Sequence, residues 1–169
     1  VDYLIKYFGE DCVHTIEDYE HNNEKLSSTL IKSFLSEGFV EQANQALGYE
    51  YSISGTVIKG DQRGSKIGFP TANLNIDKNI QIPKNGVYKV DVLLNENLYQ
   101  GIMNIGYKPT VSEGVKQSLE VHIFDFNDDV YGADLTVQFK KFIRNEIKFS
   151  SIDELTQQIS KDIEDINKN

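Results

Sequence analysis

Val87-Tyr-Lys-Val-Asp-Val-Leu-Leu94 alternates with period two: Tyr88, Val90, Val92 and Leu94 fall on one side, Lys89, Asp91 and Leu93 on the other. Successive side chains of a strand point to opposite faces, so this pattern predicts a half-buried strand. Asn95-Glu96-Asn97 then reads as a turn and Leu98–Ile105 as the return strand of a hairpin. The same period extends outward in both directions. Upstream, Tyr51, Ile53, Gly55 and Val57 alternate with Ser52, Ser54, Thr56 and Ile58. Downstream, Leu119–Phe126 and Leu135–Ile143 are strands separated by a turn at Asn127-Asp128-Asp129. At least five strands joined mostly by short polar turns predict an antiparallel barrel or sandwich. Closure removes exposed edges, so a barrel is the expectation.

Helical signals flank this region. Ser27-Ser28-Thr29 caps a helix carrying Leu30, Ile31, Phe34 and Leu35, with Gly38 as its stop. A second helix follows, with Val40, Ala43 and Leu47 facing inward and Gly48 closing it. At the other end, Ser151 and Glu154 form a capping box, and Ile152, Leu155, Ile159, Ile163 and Ile166 form one apolar stripe. The charged face of that helix, including Lys161, Asp162, Glu164 and Asp165, reads as solvated surface. Val1–Phe8 and Cys12–Ile16 read as short strands, in a stretch too short to bury its own core. His14, Asp18, Glu20 and His21 lie there without metal-ligand spacing and read as loop residues.

Composition narrows the function classes. The chain has 169 residues, 39 % hydrophobic and 25 % charged, enough to build a packed core. Its net charge of −9 argues against a nucleic-acid partner, since phosphate backbones call for a dominant positive surface. No apolar run reaches the roughly 20 residues that span a bilayer, so no membrane partner is expected. Cys12 is the single cysteine, which excludes an internal disulfide and a cysteine zinc cluster and fits a reducing cytoplasm. A chain opening on Val1 is expected to be a fragment or a processed product.

Four segments carry candidate chemistry. Gly60, Gly64 and Gly68 recur every four residues beside Lys59, Arg63 and Lys66. Glycines let backbone N–H groups approach an anion, so the segment reads as a phosphate-holding loop or as a hairpin loop. It matches neither the Walker A nor the Gly-x-Gly-x-x-Gly pattern. Pro70-Thr-Ala-Asn73 offers neutral oxygens from Thr71 and Asn73, suited to Mg²⁺ when nucleotide phosphates complete its shell, or else forms a turn. In Leu119-Glu-Val-His-Ile-Phe124, Glu120 lies mid-strand on the face opposite Leu119, Val121 and Ile123, as a general base or a solvent-facing carboxylate. His122 reads as a structural residue. Arg144 and Phe149 can embrace a planar ligand, or form a surface ion pair and a core aromatic.

Taken in order, the segments resemble the riboflavin kinase module. The matching stretches are Gly60…Gly68-Phe-Pro-Thr-Ala-Asn73, Gly86-Val-Tyr88, Asn104-Ile-Gly-Tyr-Lys-Pro-Thr110, Glu120-Val-His-Ile123, Tyr131-Gly132 and Arg144-x-Glu-x-Lys-Phe149. Leu26-Ser-Ser-Thr-Leu-Ile-Lys32 is similar to a motif late in the adenylyltransferase half of bacterial bifunctional riboflavin kinase/FAD synthetases, with Lys32 in place of the usual Arg. The resemblance implies a mainly β fold: a six-stranded antiparallel barrel of Greek-key type with a C-terminal helix packed on it. Residues 1–48 would be a helical remnant of an α/β nucleotidyltransferase domain, and residues 49–169 the kinase domain.

The implied reaction is ATP-dependent phosphorylation of the riboflavin ribityl 5′-hydroxyl, giving FMN and ADP with Mg²⁺. The N-terminal adenylyltransferase domain of a full-length protein would be a further partner, adenylylating FMN to FAD, which this chain should not do. By resemblance Gly60 and Lys66 fall in the ATP loop, Thr71 and Asn73 match the metal and ATP ligands, and Glu120 is the catalytic carboxylate. Ile123, Asp125 and Tyr131 fall in the nucleotide-contacting strand and turn, and Arg144 and Phe149 in the flavin-contacting segment. The alternative is a non-catalytic flavin-binding barrel.

Overall fold

The structure is a computed structural model that describes residues 1–14, 20–21, 24–60, 64–110 and 114–168. In chain order the elements are helix α1 (Asp2–Phe8), strands β1 (Glu20–His21) and β2 (Glu24–Lys25), helices α2 (Ser28–Glu37) and α3 (Val40–Leu47), strands β3 (Ser52–Ile58), β4 (Ala72–Asn75), β5 (Gly86–Leu94), β6 (Asn97–Thr110), β7 (Gly114–Ile123) and β8 (Asp134–Arg144), and helix α4 (Ile152–Asn167).

Strands β3 to β8 close into a barrel in the order β3-β4-β7-β6-β5-β8, with every pair antiparallel. The meander β5-β6-β7 with β8 returning beside β5 is a Greek key. The β5–β6 turn is Asn95-Glu96, both with positive φ, and it joins the paired residues Leu94 and Asn97. Such a two-residue turn matches the twist of its flanking strands.

Period two sorts the side chains as the sequence predicts. Tyr88, Val90, Val92, Met103, Ile105, Val121, Val137 and Phe139 point inward and are fully buried. The interior is therefore a packed core. Burial pushes the Tyr88 hydroxyl well above the ordinary tyrosine range, and that hydroxyl donates to the Lys84 carbonyl.

The outer face carries α4. Ile166 packs there on Val87 and Ile102, and Lys89 donates from Nζ to the Ile166 carbonyl at 3.2 Å. Ser151 Oγ accepts from the Glu154 N–H at 3.2 Å, as the capping box predicts. The Glu154 carboxylate reaches one residue further back, accepting from Ser150 N–H at 2.9 Å and Ser150 Oγ at 2.8 Å.

Asp162 departs from the sequence reading of a solvated face. It is only 2 % exposed. The cause is Arg144, whose Nη2 lies 2.7 Å from Asp162 Oδ2 and whose Nε donates to both carboxylate oxygens at 2.9 and 3.0 Å. Gln158 Nε2 adds a bond of 2.8 Å to the same carboxylate.

Helices α2 and α3 pack on the barrel end. Leu35, Val40 and Ala43 join its core cluster, Asn44 Nδ2 donates to the Phe139 carbonyl at 2.8 Å, and Asn44 Oδ1 accepts from the Tyr51 N–H at 2.7 Å. Ala46, where Leu47 was expected, completes the buried face of α3.

The first residues overturn an expectation. Asp2–Phe8 is helical where a strand was read, and Glu10–Cys12 is a single 3-10 turn. Neither segment buries a residue, so no sheet partner enforces extension. Tyr3 and Tyr7 instead meet one helical turn apart, with ring centroids 5.0 Å apart. Asp18 and the side chain of His21 lie outside the described residues.

Candidate active site at the barrel surface

Barrel closure brings Thr71, Asn73 and Glu120 together. Asn73 on β4 pairs in register with Glu120 on β7, so both side chains leave the same outer face. Thr71, two residues before Asn73, shares that face. Its hydroxyl donates to Glu120 Oε2 at 3.1 Å. The other oxygen, Oε1, accepts from Ser118 Oγ at 3.1 Å and lies 2.8 Å from Lys108 Nζ. Lys108 also donates to Asn73 Oδ1 at 3.3 Å. The Glu120 side chain stays 23 % exposed, so the cluster is open to a ligand.

Lys108 is the functional candidate that sequence reasoning left without a role. It sits on β6 two residues from Gly106 and four from Asn104, on the face that meets Glu120. Only the β6–β7 register reveals this, and a sequence of separate strands does not contain it.

The glycine-rich loop lies over the same cluster. A Cβ on Gly60 would fall 2.2 Å from Asn73 Nδ2. A Cβ on Gly64 would fall 2.2 Å from the Phe69 carbonyl oxygen, within the 3-10 turn Gly64–Ile67. Both glycines are thus required by close approach. Arg63 and the side chain of Lys66 lie outside the described residues. His122 is structural as read: its Nδ1 lies 2.8 Å from the Pro70 carbonyl, and its ring meets Phe69 and Phe124 edge-on.

On one side of the cluster, a cleft of about 230 Å³ opens between Thr71 and the turn 126–131. Its walls include Val57, Ala72, Val121, Ile123, Val130 and Tyr131. Ile123 and Tyr131 therefore share a cavity with Thr71. Asp125, in a positive-φ turn residue (φ 53°), does not line it, whereas Asp128 and Asp129 do.

On the other side runs a row of register partners across five strands. Asn73 pairs with Glu120, Glu120 with Asn104, Asn104 with Val87, and Val87 with Arg144. Adjacent strands lie about 4.8 Å apart, so Arg144 is roughly 14 Å from Glu120 along the sheet. Arg144 Cζ lies 5.9 Å from the Phe149 ring centroid. A broad, open hollow of about 390 Å³ lies beside Phe149, between residues 147–149 and α4. Its volume exceeds that of the Thr71 cleft, but it touches none of the Thr71–Glu120 cluster. The guanidinium of Arg144 is engaged with Asp162, so this segment combines a buried ion pair with a ring beside it.

The donor set is that of a hard cation. Thr71 Oγ1, Asn73 Oδ1 and the Glu120 carboxylate are all oxygens, and an ammonium group already rests among them. Mg²⁺ accepts such oxygens when phosphates and water fill the remaining positions. Among the described residues no group of three His, Cys, Asp or Glu side chains could hold a metal by itself. A metal here would depend on a phosphate-bearing ligand.

Comparison with known proteins settles the family. Residues 47–169 match the flavokinase (riboflavin kinase) family. The chain belongs to the riboflavin kinase family. The kinase domain thus begins at the end of α3 and takes in the whole barrel and α4. Among curated proteins, a bifunctional riboflavin kinase/FMN adenylyltransferase of Bacillus subtilis (strain 168) is 47 % identical over 149 residues, covering 87 % of this chain and 47 % of that protein. The protein of the same description from Listeria monocytogenes is 43 % identical over 163 residues, covering 96 % of this chain and 52 % of its own length. The chain therefore spans about half the length of the curated relatives it matches. A solved structure described as a macrolide-efflux protein from Streptococcus pneumoniae superposes with a TM-score of 0.83 at 37 % identity, covering 88 % of this chain and 49 % of that one. In the kinase domain and the described residues before it, no helix is long and apolar enough to cross a membrane.

Proposed function

We propose that the chain transfers the γ-phosphoryl group of ATP to the ribityl 5′-hydroxyl of riboflavin, releasing FMN and ADP. The observation that carries this reading is Glu120, held between Thr71 and Lys108 where the nucleotide-sized cleft meets the cross-strand row.

A carboxylate offers about four acceptor sites. Ser118 and Lys108 occupy Oε1, and Thr71 occupies one position on Oε2. The remaining Oε2 site accepts the substrate hydroxyl. Glu120 orients that hydroxyl and takes its proton as the oxygen attacks the γ-phosphorus. The bond from the γ-phosphorus to the β,γ-bridging oxygen breaks, and ADP leaves with its electron pair. Such a transfer needs positioning and charge neutralisation more than covalent help.

Thr71 and Asn73 are the side chains that would hold Mg²⁺ with the nucleotide. Bound there, the metal supplies neutralisation of the charge on the phosphate oxygens. The apolar walls of Val57, Ile123 and Val130 suit the base of the nucleotide, with Tyr131 at the rim. Gly60 and Lys66 belong to the loop over its phosphates, and Asp125 to the turn beyond. Arg144 and Phe149 stand at the far end of the row, where the flavin ring would lie.

We also read residues 1–48 as the end of an adenylyltransferase domain and residues 49–169 as the kinase domain, in keeping with the bifunctional relatives. The test is one incubation with riboflavin, ATP and Mg²⁺, resolved by chromatography. FMN without FAD is expected. Riboflavin binding without FMN would overturn the kinase reading in favour of a flavin-binding barrel, and FAD would overturn the reading of residues 1–48.

A further inference from the structure

Asn104 occupies a position in the row that neither packing nor hydrogen bonding explains. It sits mid-strand on β6, where Asn is an unfavourable residue. Its neighbours along the strand, Met103 and Ile105, are fully buried in the core, so its own side chain leaves the outer face. It is half-buried there. Among the described residues none hydrogen-bonds its amide, although Lys108, Ser118 and Thr71 on the same face are all engaged with Glu120.

The surroundings define what would use that amide. On one side its register partner is Glu120, and directly opposed residues on neighbouring strands stand about 4.5–5.5 Å apart at Cβ. On the other side its partner is Val87, which belongs with Ile102 and Ile166 to the apolar patch under α4. Along its own strand Gly106 offers bare backbone. A Cβ there would fall 2.0 Å from Glu146 Oε1, so the carboxylate lies against that backbone. A ligand laid along the row thus meets a base at Glu120, then a neutral donor and acceptor at Asn104, then an apolar surface. This order fits a chain bearing vicinal hydroxyls that ends in the reacting alcohol and leads back to a flat apolar ring.

We propose that Asn104 is a specificity residue, which hydrogen-bonds the secondary hydroxyls next to the reacting one and so selects a polyol chain over a plain alkyl chain. The inference rests on the riboflavin kinase reading and deepens it. Its amide can donate to one hydroxyl oxygen and accept from the next. An analogue lacking those hydroxyls would leave the amide partly desolvated and unpaired.

The test compares riboflavin with a flavin whose N10 chain is 5-hydroxypentyl, which keeps only the terminal alcohol. The wild-type chain, Asn104→Ala and Asn104→Ser are assayed for kcat/KM on both, and flavin affinity is read by fluorescence quenching. The wild-type chain should favour riboflavin. Asn104→Ala should lose about 10- to 100-fold on riboflavin, with proportionate weakening of riboflavin binding. It should change little on the hydroxypentyl flavin, and KM for ATP should hold. Asn104→Ser, which keeps a donor and an acceptor, should fall between. Equal losses on both flavins, or no loss on either, would overturn the proposal while leaving the kinase reading intact. A wild-type chain that phosphorylates no riboflavin would overturn both.

Discussion

Lys108 Nζ lies 2.8 Å from Glu120 Oε1, on an arm of the β6–β7 hairpin that reaches the base from the strand beside it. The ammonium fixes one oxygen of the carboxylate and leaves the other turned toward Thr71 and the cleft. Replacing Glu120 by Gln keeps the shape but removes the charge and the proton acceptor. Turnover should fall by about 10²-fold or more, the range expected for loss of a general base. Riboflavin affinity, measured by fluorescence quenching, should change little. Near-normal turnover would remove Glu120 from the base role.

Gly60 and Asn73 make a second, steric prediction. The Cβ of Gly60→Ala would collide with the Asn73 amide, so the substitution should act as a mild version of Asn73→Ala. Both should raise the Mg²⁺ concentration needed for half-maximal rate, Asn73→Ala the more. Thermal stability should hold in Asn73→Ala, because that side chain faces outward. A Mg²⁺ titration that superposes on the wild-type curve would count against both residues.

Arg144 and Asp162 fasten α4 to the end of β8. Their side chains are only 18 % and 3 % exposed. Removing one member of a buried pair strands the other charge, at about 3 kcal/mol or more. Asp162→Asn should therefore lower unfolding free energy by about that amount in urea. Asp162→Leu combined with Arg144→Met should recover part of it. An unchanged urea midpoint in Asp162→Asn would show that the pair does not hold the helix.

Glu154 gives a pH prediction. Backbone and side-chain hydrogen bonds from Ser150 hold its carboxyl below the ordinary value of 4.5. The folded state therefore favours the ionised form. Its contribution is present above pH 4.5 and lost as pH falls through the lowered folded value. The gap in melting temperature between the wild-type chain and Glu154→Gln should hold from pH 7 to near 4.5 and then close. A gap that widens in acid would contradict the assignment.

The barrel was legible because period two is written into β3, β5, β7 and β8, and because their turns are short. Strand β4 was not, since its four residues Ala72–Asn75 are too few for a period and carry site residues. The start of the chain misled for a related reason: Tyr3, Leu4 and Ile5 are apolar enough for a strand, but nothing packs on them. Thr71, Asn73 and Glu120 stood out by residue type and order. Their meeting, and the presence of Lys108 and Asn104 beside them, depends on strand register, which emerges only when the barrel closes. Asp162 looked solvated because its partner lies 18 residues away on another element.

The core and the reactive row occupy opposite faces of the same strands, interleaved residue by residue along β4, β6 and β7. Deleting or inserting one residue within β7 would drive Glu120 inward and Val121 outward in a single step. Folding and chemistry would fail together, with no intermediate that keeps one of them. Changes of length between Phe126 and Tyr131 carry no such penalty, because that turn lies outside the ladder. In a lineage of such barrels, length variation should collect in the turn that edges the cleft, while β7 tolerates exchange of side chains but never a change in their count.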